Sequence, residues 1–407
     1  MRLIVLNDHG FVNGGGAQVA IASLNALAEA GLDVTFVSSV GPVDGSINRN
    51  LVKTVNFGQY DLRGNPSKVQ AAVRGIWNSE SSFRFGKVLE EFDPKDTIIH
   101  LHTWVSSLSS SAVSIAVKKG FKVVCTLHDY SSICPNGGLY NFNDARNCEL
   151  RPMSLACIAS HCDSRSYPHK LWRVVRQVVQ TKLANFQVDI ELFITVSRYS
   201  ENLIRPFLPR TSKFENIGNP IAIAKESPVD VGNNSTFTFI GRLSPEKGAV
   251  LFAEAARMAK VNSVFVGSGD EEERIRAMNS TSTFMGWQDR KGVIKAIRAS
   301  RAVVFPSLLH EAQPLIVMEA AALGVPVVAS DECAARDAII DGETGLLFRA
   351  RDPDDLSKKL ELLNRDPDLA RRLAANAYEH YWNAPSTLEV HVGKLINCYE
   401  KILSPVV

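Results

Sequence analysis

The segment AVVFPSLLHEAQPLIVMEAAALGVPVVAS, residues 302–330, reads as a strand, a helix and a second strand in succession. AVVFPS and VPVVAS are short continuous apolar runs, the kind buried on both faces of a parallel sheet. Between them Pro314 suits a first helical position and Gly324 a stop, so a helix is expected from about 314 to 323. Its first free amides, on Leu315 and Ile316, would point at an anion lying just beyond the helix start. Glu311 precedes the helix and Glu319 lies within it, roughly 10 Å apart at a helical rise of about 1.5 Å per residue. One carboxylate then stands on each side of a bound phosphate. The other reading is a pair of solvated glutamates favoured near a helix start by its dipole.

The same alternation runs outward in both directions, which makes the chain α/β with parallel sheets. RLIVLN, DVTFVSS, TIIHLH, KVVCTLHD and LFITVS form one series of strands. FTFIGR, VNSVFVGSG, STFMGW, AVVFPS and VPVVAS form a second. A stretch rich in Gly, Pro and Asn, IGNPIAIAKESPVDVGNN at 217–234, separates them. Two doubly wound domains follow, 1–218 and 219–385, with a terminal amphipathic helix at 386–403 left over.

A chain of 407 residues is too long for one ordinary core, which agrees with two domains. Lys and Arg number 45 against 43 Asp and Glu, a net charge of +2 that gives no global reason to expect nucleic acid. The N-terminal apolar run is too short for a signal-peptide core, and no stretch approaches the length needed to span a bilayer. The expectation is a cytoplasmic protein. Seven cysteines do not resemble a secreted disulfide framework.

Three further motifs sit at strand ends. NGGGAQVAIASL opens a helix with Gly14, Gly15 and Gly16, which lets backbone approach an anion; a plain tight turn is the alternative. The spacing is not the dinucleotide fingerprint, and Ser38 and Ser39 stand where its ribose-binding acid would be. FIGRLSPEKG puts Arg242 and Lys247 five residues apart around a strand-to-helix turn, where both can reach one pyrophosphate; a pair of surface cations is the alternative. KVVCTLHDY sets His128 at a strand's carboxyl end, where α/β sheets bind ligands; a structural histidine is the competing reading.

Taken in order, GGGAQVA, TLHDY, TVSRYS, IGNPI, FIGRLSPEKG, VFVGSGDEEERIRA, FMGWQDR, the Glu311 to Glu319 segment and DGETGLLF resemble the retaining glycosyltransferases of family four. The resemblance covers nearly the whole chain. It implies the GT-B architecture, two facing Rossmann-like domains, with the terminal helix packing back on the first. It implies transfer of a sugar from a UDP- or GDP-sugar to an acceptor hydroxyl, with no cofactor and no catalytic metal, in cell-surface polysaccharide or glycolipid synthesis. A sugar-nucleotide 2-epimerase and a non-catalytic nucleotide-sugar-binding protein are the alternatives.

Position by position, the resemblance puts Arg242 and Lys247 on the donor diphosphate with help from Gly15 and Gly16, and Glu319 on the ribose. It puts Glu311 near the reaction centre, and the backbone of Gln313, Leu315 and Ile316 on sugar and phosphate. It sets Gly286 and Trp287 by the base and His128 on the transferred sugar. EAQP stands here where the family often has EGFG. The aspartates of DPDD and DPD look like a metal-binding DxD, but Asp352 and Asp366 read as helix N-caps.

Two stretches are not absorbed by these assignments. Cys134, Cys148, Cys157 and Cys162 follow His128 without a CxxC knuckle; a structural zinc site, reduced thiols and disulfides all remain open. HKLWRVVRQVVQTKLANF at 169–186 carries Lys170, Arg173, Arg176 and Lys182. It reads either as a contact for an anionic membrane, as suits a saccharide or lipid-linked acceptor, or as a packed helix with a solvated basic face.

Overall fold

In the computed structural model, which describes residues 1–404, the apolar runs of the N-terminal half pair into one parallel sheet. Its strands are β1 (Arg2–His9), β2 (Asp33–Val40), β3 (Val52–Gln59), β4 (Thr97–Leu101) and β5 (Lys122–Leu127). A small hairpin of β6 (Tyr140–Asn141) and β7 (Arg146–Asn147) intervenes before β8 (Leu192–Thr195) and β9 (Phe214–Asn216) complete it. The order is β3-β2-β1-β4-β5-β8-β9. β1 is buried at seven of its eight positions, so its side chains leave the sheet on both faces into apolar packing.

One face packs Leu6, Leu101, Val123 and Phe193 under Phe85, Leu108 and Phe186. The other packs Leu3, Val5, Ile98 and Ile194 against Leu24 of the helix Gly15–Glu29 and against Leu395 and Tyr399 of the terminal helix Leu388–Leu403. By contacts the first unit comprises, among the described residues, 1–139, 149–220 and 388–404, and the second 140–148 and 221–387. The terminal helix thus belongs to the first unit, and the β6–β7 hairpin to the second.

The second unit holds a six-stranded parallel sheet of β10 (Thr236–Ile240), β11 (Asn262–Val266), β12 (Thr283–Gly286), β13 (Ser300–Phe305), β14 (Val327–Ser330) and β15 (Gly345–Phe348). Its order is β12-β11-β10-β13-β14-β15. Phe237, Phe252, Phe265, Val303, Val328 and Leu360 fill its core. The α/β class and the GT-B plan of two Rossmann-like units are both present.

The β6–β7 hairpin and three strands of the two parallel sheets were not expected from the sequence. β3 is an edge strand whose Lys53 and Gly58 face water, so its apolar content is diluted. β9 has three residues, and β15 lies inside the DGETGLLF motif. The helix of the opening segment runs Leu315–Ala322 with Pro314 as N-cap, one residue later than expected. Asp352 and Asp366 accept the amides of Asp355 and Leu369 and are N-caps.

Candidate functional site

Each sheet has one place where the strand order reverses, and the connections leaving the carboxyl ends there diverge to open a crevice. In the first unit it lies between β1 and β4; in the second, between β10 and β13. The residues singled out from the sequence stand beside these two points.

In the first unit β1 runs out to the glycine loop, and Gly14 caps the helix Gly15–Glu29. A Cβ on Gly15 would meet nothing within 4 Å, but one on Gly16 would stand 3.2 Å from His128 Cγ. Gly16 therefore lets the helix start close over the imidazole. His128 Nε2 lies 2.9 Å from His102 Nδ1, with the two rings stacked 5.2 Å apart. His102 leaves β4 as His128 leaves β5, and the strand-end argument that identified one applies equally to the other.

Behind them His100 Nδ1 meets the Tyr399 hydroxyl at 2.6 Å and His100 Nε2 meets Thr126 Oγ1 at 2.7 Å. Burial first, and then neighbouring histidines, push His100 down to about 3 and His128 to about 4, and hold His102 well below its ordinary value. All three are neutral near pH 7. One proton then lies between His102 and His128. If His102 donates it, His128 keeps Nδ1–H as a donor; if His128 donates it, Nδ1 is a bare acceptor.

In the second unit Arg242 and Lys247 follow β10. Pro245 opens a single 3₁₀ turn, Pro245–Lys247, rather than the next helix, which begins at Ala249. Gly248 between them has φ 71°, and a Cβ there would fall 2.0 Å from the Pro306 carbonyl oxygen. Only glycine admits that approach. The turn is also fastened by Leu308 N–H donating to Glu246 O at 2.9 Å. Lys247 Nζ thereby donates to Glu311 Oε1 at 2.6 Å, and Ser307 Oγ donates to the same oxygen at 2.7 Å. Glu311 has φ 50°, a left-handed backbone uncommon for a residue with a side chain and found at functional sites.

Glu319, 4% exposed, is paired with Arg290 from the first turn of the helix Arg290–Arg298. Sequence reasoning missed Arg290, although it ends the FMGWQDR motif one residue after the N-cap Asp289. Arg242 is exposed and paired with Glu246 at 3.0 Å. Leu315 and Ile316 open the helix Leu315–Ala322 directly after the Glu311 to Pro314 loop, which includes Gln313, and their amides precede any intrahelical acceptor. Gly286 ends β12 with φ 64° and accepts from Gly267 N–H at 2.8 Å; the Trp287 ring beside it is 76% exposed.

The cysteines do not assemble as a zinc set. Cys148 belongs to the second unit and the other three to the first, and no group of three or more His, Cys, Asp or Glu among the described residues is placed to hold a metal ion. The basic helix also differs from expectation. Lys170 is fully buried, and Arg176 is buried with Nη2 on Pro135 O at 3.0 Å. Gln177 and Gln180 are buried too, whereas Leu171, Val175 and Val178 are exposed. The helix Tyr167–Val178 packs by its polar side and shows its apolar side, so its basic face is not the solvated one.

The model for Glycosyltransferase Family 4 matches residues 13–225, and that for Glycosyl transferases group 1 matches 222–380. A D-inositol 3-phosphate glycosyltransferase of Frankia alni is 27% identical over 93% of this chain and 92% of its own length. A GDP-mannose-dependent alpha-mannosyltransferase of Mycobacterium tuberculosis is 35% identical over 33% of this chain and 36% of its own. Among solved structures, Anabaena Alr3699/HepE in complex with UDP superposes with a TM-score of 0.66 at 16% identity, covering 98% of this chain and all of that one.

Proposed function

The chain belongs to glycosyltransferase family 4, and on that premise we propose that it moves a sugar from a UDP- or GDP-sugar to a hydroxyl of a saccharide or lipid-linked saccharide, retaining the anomeric configuration. The observation that carries this reading is that each acid of the 310–330 segment has its own cation, Lys247 for Glu311 and Arg290 for Glu319.

The donor's diphosphate meets the N-terminal end of the helix Leu315–Ala322, where Lys247, Arg242 and the first amides supply fixed positive charge. As Lys247 takes the phosphate, Glu311 is released to accept from hydroxyls of the sugar. Glu319 is the stationary acid, buried and tied to Arg290, suited to the ribose. Trp287 and Gly286 border the base. Charge on the leaving diphosphate is the main catalytic term, and the departing phosphate receives the acceptor's proton. Three sources of positive charge already face the diphosphate, so no divalent ion is needed for neutralisation. To the transferred sugar His128 offers the Nδ1 whose donor or acceptor character His102 determines.

Similar proteins include both a UDP complex and a GDP-mannose-dependent enzyme, so both bases stay in the proposal. A lipid-linked acceptor is supported by exposed Leu171, Val175 and Val178 on the helix Tyr167–Val178 and exposed Val69 and Val73 on the helix Lys68–Ile76 that it contacts. A groove of about 700 Å³ lined by Leu62, Arg63, Lys68, Arg165 and Trp172 is formed with residues of the same two helices. Apolar side chains with a basic fringe suit the face of an anionic membrane. No helix among the described residues is long and apolar enough to cross one.

Turnover of a panel of UDP- and GDP-sugars, with and without saccharide acceptors, tests the reading. Nucleoside diphosphate release should require acceptor and be unaffected by EDTA, and NMR of the product should show the donor's anomeric configuration. An inverted product would refute the proposed stereochemistry. Glu311→Ala should lower turnover more than nucleotide affinity.

A further inference from the structure

Cys134, Cys157 and Cys162 converge on the side chain of Lys170, which has no solvent exposure. Its Nζ lies 3.1 Å from Cys162 Sγ and 3.6 Å from Cys157 Sγ. No carboxylate of the described residues lies within ion-pairing distance of it; the nearby Asp163 is paired with Arg173 instead. The polar atoms that the buried Lys170 side chain touches are therefore sulfur, and a cation beside a thiol favours its ionised form. Cys162 Sγ is the better placed, because Asn136 Nδ2 also points at it from 3.4 Å. Burial opposes the charge on Lys170, but the hydrogen bond and attraction of Cys162, followed by Cys157 and Cys134, hold the ammonium above its ordinary value.

We propose that Cys157 and Cys162 form an oxidisable dithiol, a peroxide-modification site whose nucleophile is the Cys162 sulfur beside Lys170. The thiolate, beside a cation, is the reactive form of cysteine. It attacks one oxygen of hydrogen peroxide; the O–O bond breaks, the sulfur loses two electrons to become a sulfenic acid, and the other oxygen leaves as hydroxide, which takes up the proton that the thiol gave up. The Cys157 sulfur then attacks the Cys162 sulfur, the S–O bond breaks and water leaves. The net change is two thiols and one peroxide to one disulfide and two waters. A dithiol reductant reverses it. Both thiols are buried, and Cys157 sits on the five-residue helix Leu155–Ala159, whose Leu155 is 86% exposed, so peroxide reaches the pair through local opening of that short helix.

The pair is connected to the loop that carries His128. Asn136 donates to Cys162 O at 3.2 Å, Cys134 N–H to Tyr130 O at 2.8 Å and Tyr130 N–H to Gly137 O at 3.1 Å. Closing the disulfide removes the sulfur partners of Lys170 and disturbs the anchor of that loop. A reversible loss of transfer activity on oxidation follows; this part rests on the function proposed above, whereas the chemistry does not.

The test is peptide mapping by mass spectrometry of the full chain before and after hydrogen peroxide. A Cys157–Cys162 linked peptide, lighter by two hydrogens and restored by dithiothreitol, is expected. In the untreated protein Lys170→Gln should slow alkylation of Cys162 by iodoacetamide about tenfold or more, and Lys170→Arg, which keeps the charge, should restore most of the rate. Should Lys170→Gln not fold, the mapping and the arginine variant stand alone. Both thiols surviving peroxide that oxidises the methionines would overturn the proposal, as would stoichiometric zinc in the purified protein. The mapping needs no activity, so its failure is distinct from failure of the proposed transfer reaction.

Discussion

At the switch point of the first sheet stand a glycine helix start and a column of neutral histidines, Gly16 over His128 over His102. At that of the second stand two ion pairs, Lys247 with Glu311 and Arg290 with Glu319. The backbones are alike: parallel strands, a reversal of order, a helix beginning beside it. What differs is what the strand ends carry. Buried imidazoles near pH 7 offer hydrogen bonds without net charge, which suits a hydroxyl-bearing partner. Cations facing a helix start suit an anion and the charge that develops on it when it leaves. A fold that opens two equivalent crevices can therefore divide a transfer reaction by side-chain chemistry alone.

The charged half can be tested hardest. Lys247→Ala should lower turnover by about 10²–10³-fold, the usual cost of deleting one preorganised contact to developing charge. The corresponding removal of a polar group from the first unit should cost much less. Equal losses in steady-state kinetics would erase the contrast between the two halves.

Within the second unit the two arginines separate structure from binding. Arg290→Ala strands the buried Glu319 carboxylate and should destabilise the unit by about 3 kcal/mol. Arg242→Ala breaks an exposed pair and should change stability by less than about 0.5 kcal/mol. Urea unfolding of both variants is the check.

Acid should strike the first unit before the second. His100, His128 and His391 have folded values of about 3, 4 and 4, and His102 is also well below its ordinary value, all four in the first unit; His310, at about 4, is the second unit's counterpart. In each case burial is the main cause. The unfolded chain takes up these protons first, so the stability is complete above about pH 6.5. It is lost as pH falls towards 4, by about 1.4 kcal/mol per pH unit for each histidine. Hydrogen exchange by segment at pH 7 and 5 should show protection falling earlier in β1, β4 and β5 than in β10 and β13. A uniform loss would mean the histidines do not govern it.

A smaller effect isolates the imidazole pair. His102→Ala removes the partner that fixes the His128 tautomer and should reduce kcat about tenfold with little change in donor KM, and His102→Asn should recover part of it. An unchanged kcat would leave His102 with a packing role only.

Much of this arrangement is legible in the sequence. Continuous apolar runs ending at Asn7, Leu127, Ile240 and Phe305 reveal parallel strands because burial on both faces leaves no alternation to hide. Pro314 and Gly324 punctuate the helix between two of them. The hidden parts depend on distant partners. Nothing local to FMGWQDR says that Arg290 will meet Glu319, and nothing local to FIGRLSPEKG says that Gly248 must be small because Pro306 lies against it. HKLWRVVRQVV misled for a related reason. Charge usually faces water, but Lys170 and Arg176 have buried acceptors waiting in the cysteine segment and in the Pro135 carbonyl, so the helix turns its valines outward.

The central claim is that the second unit's switch point holds the donor's diphosphate through Lys247. Calorimetric titration of UDP and GDP into the wild-type protein and Lys247→Ala tests it directly. At least one nucleotide should bind the wild type and lose about tenfold or more in affinity to the variant, the worth of one hydrogen bond from a charged donor. Equal affinity of both proteins for that nucleotide would contradict the account.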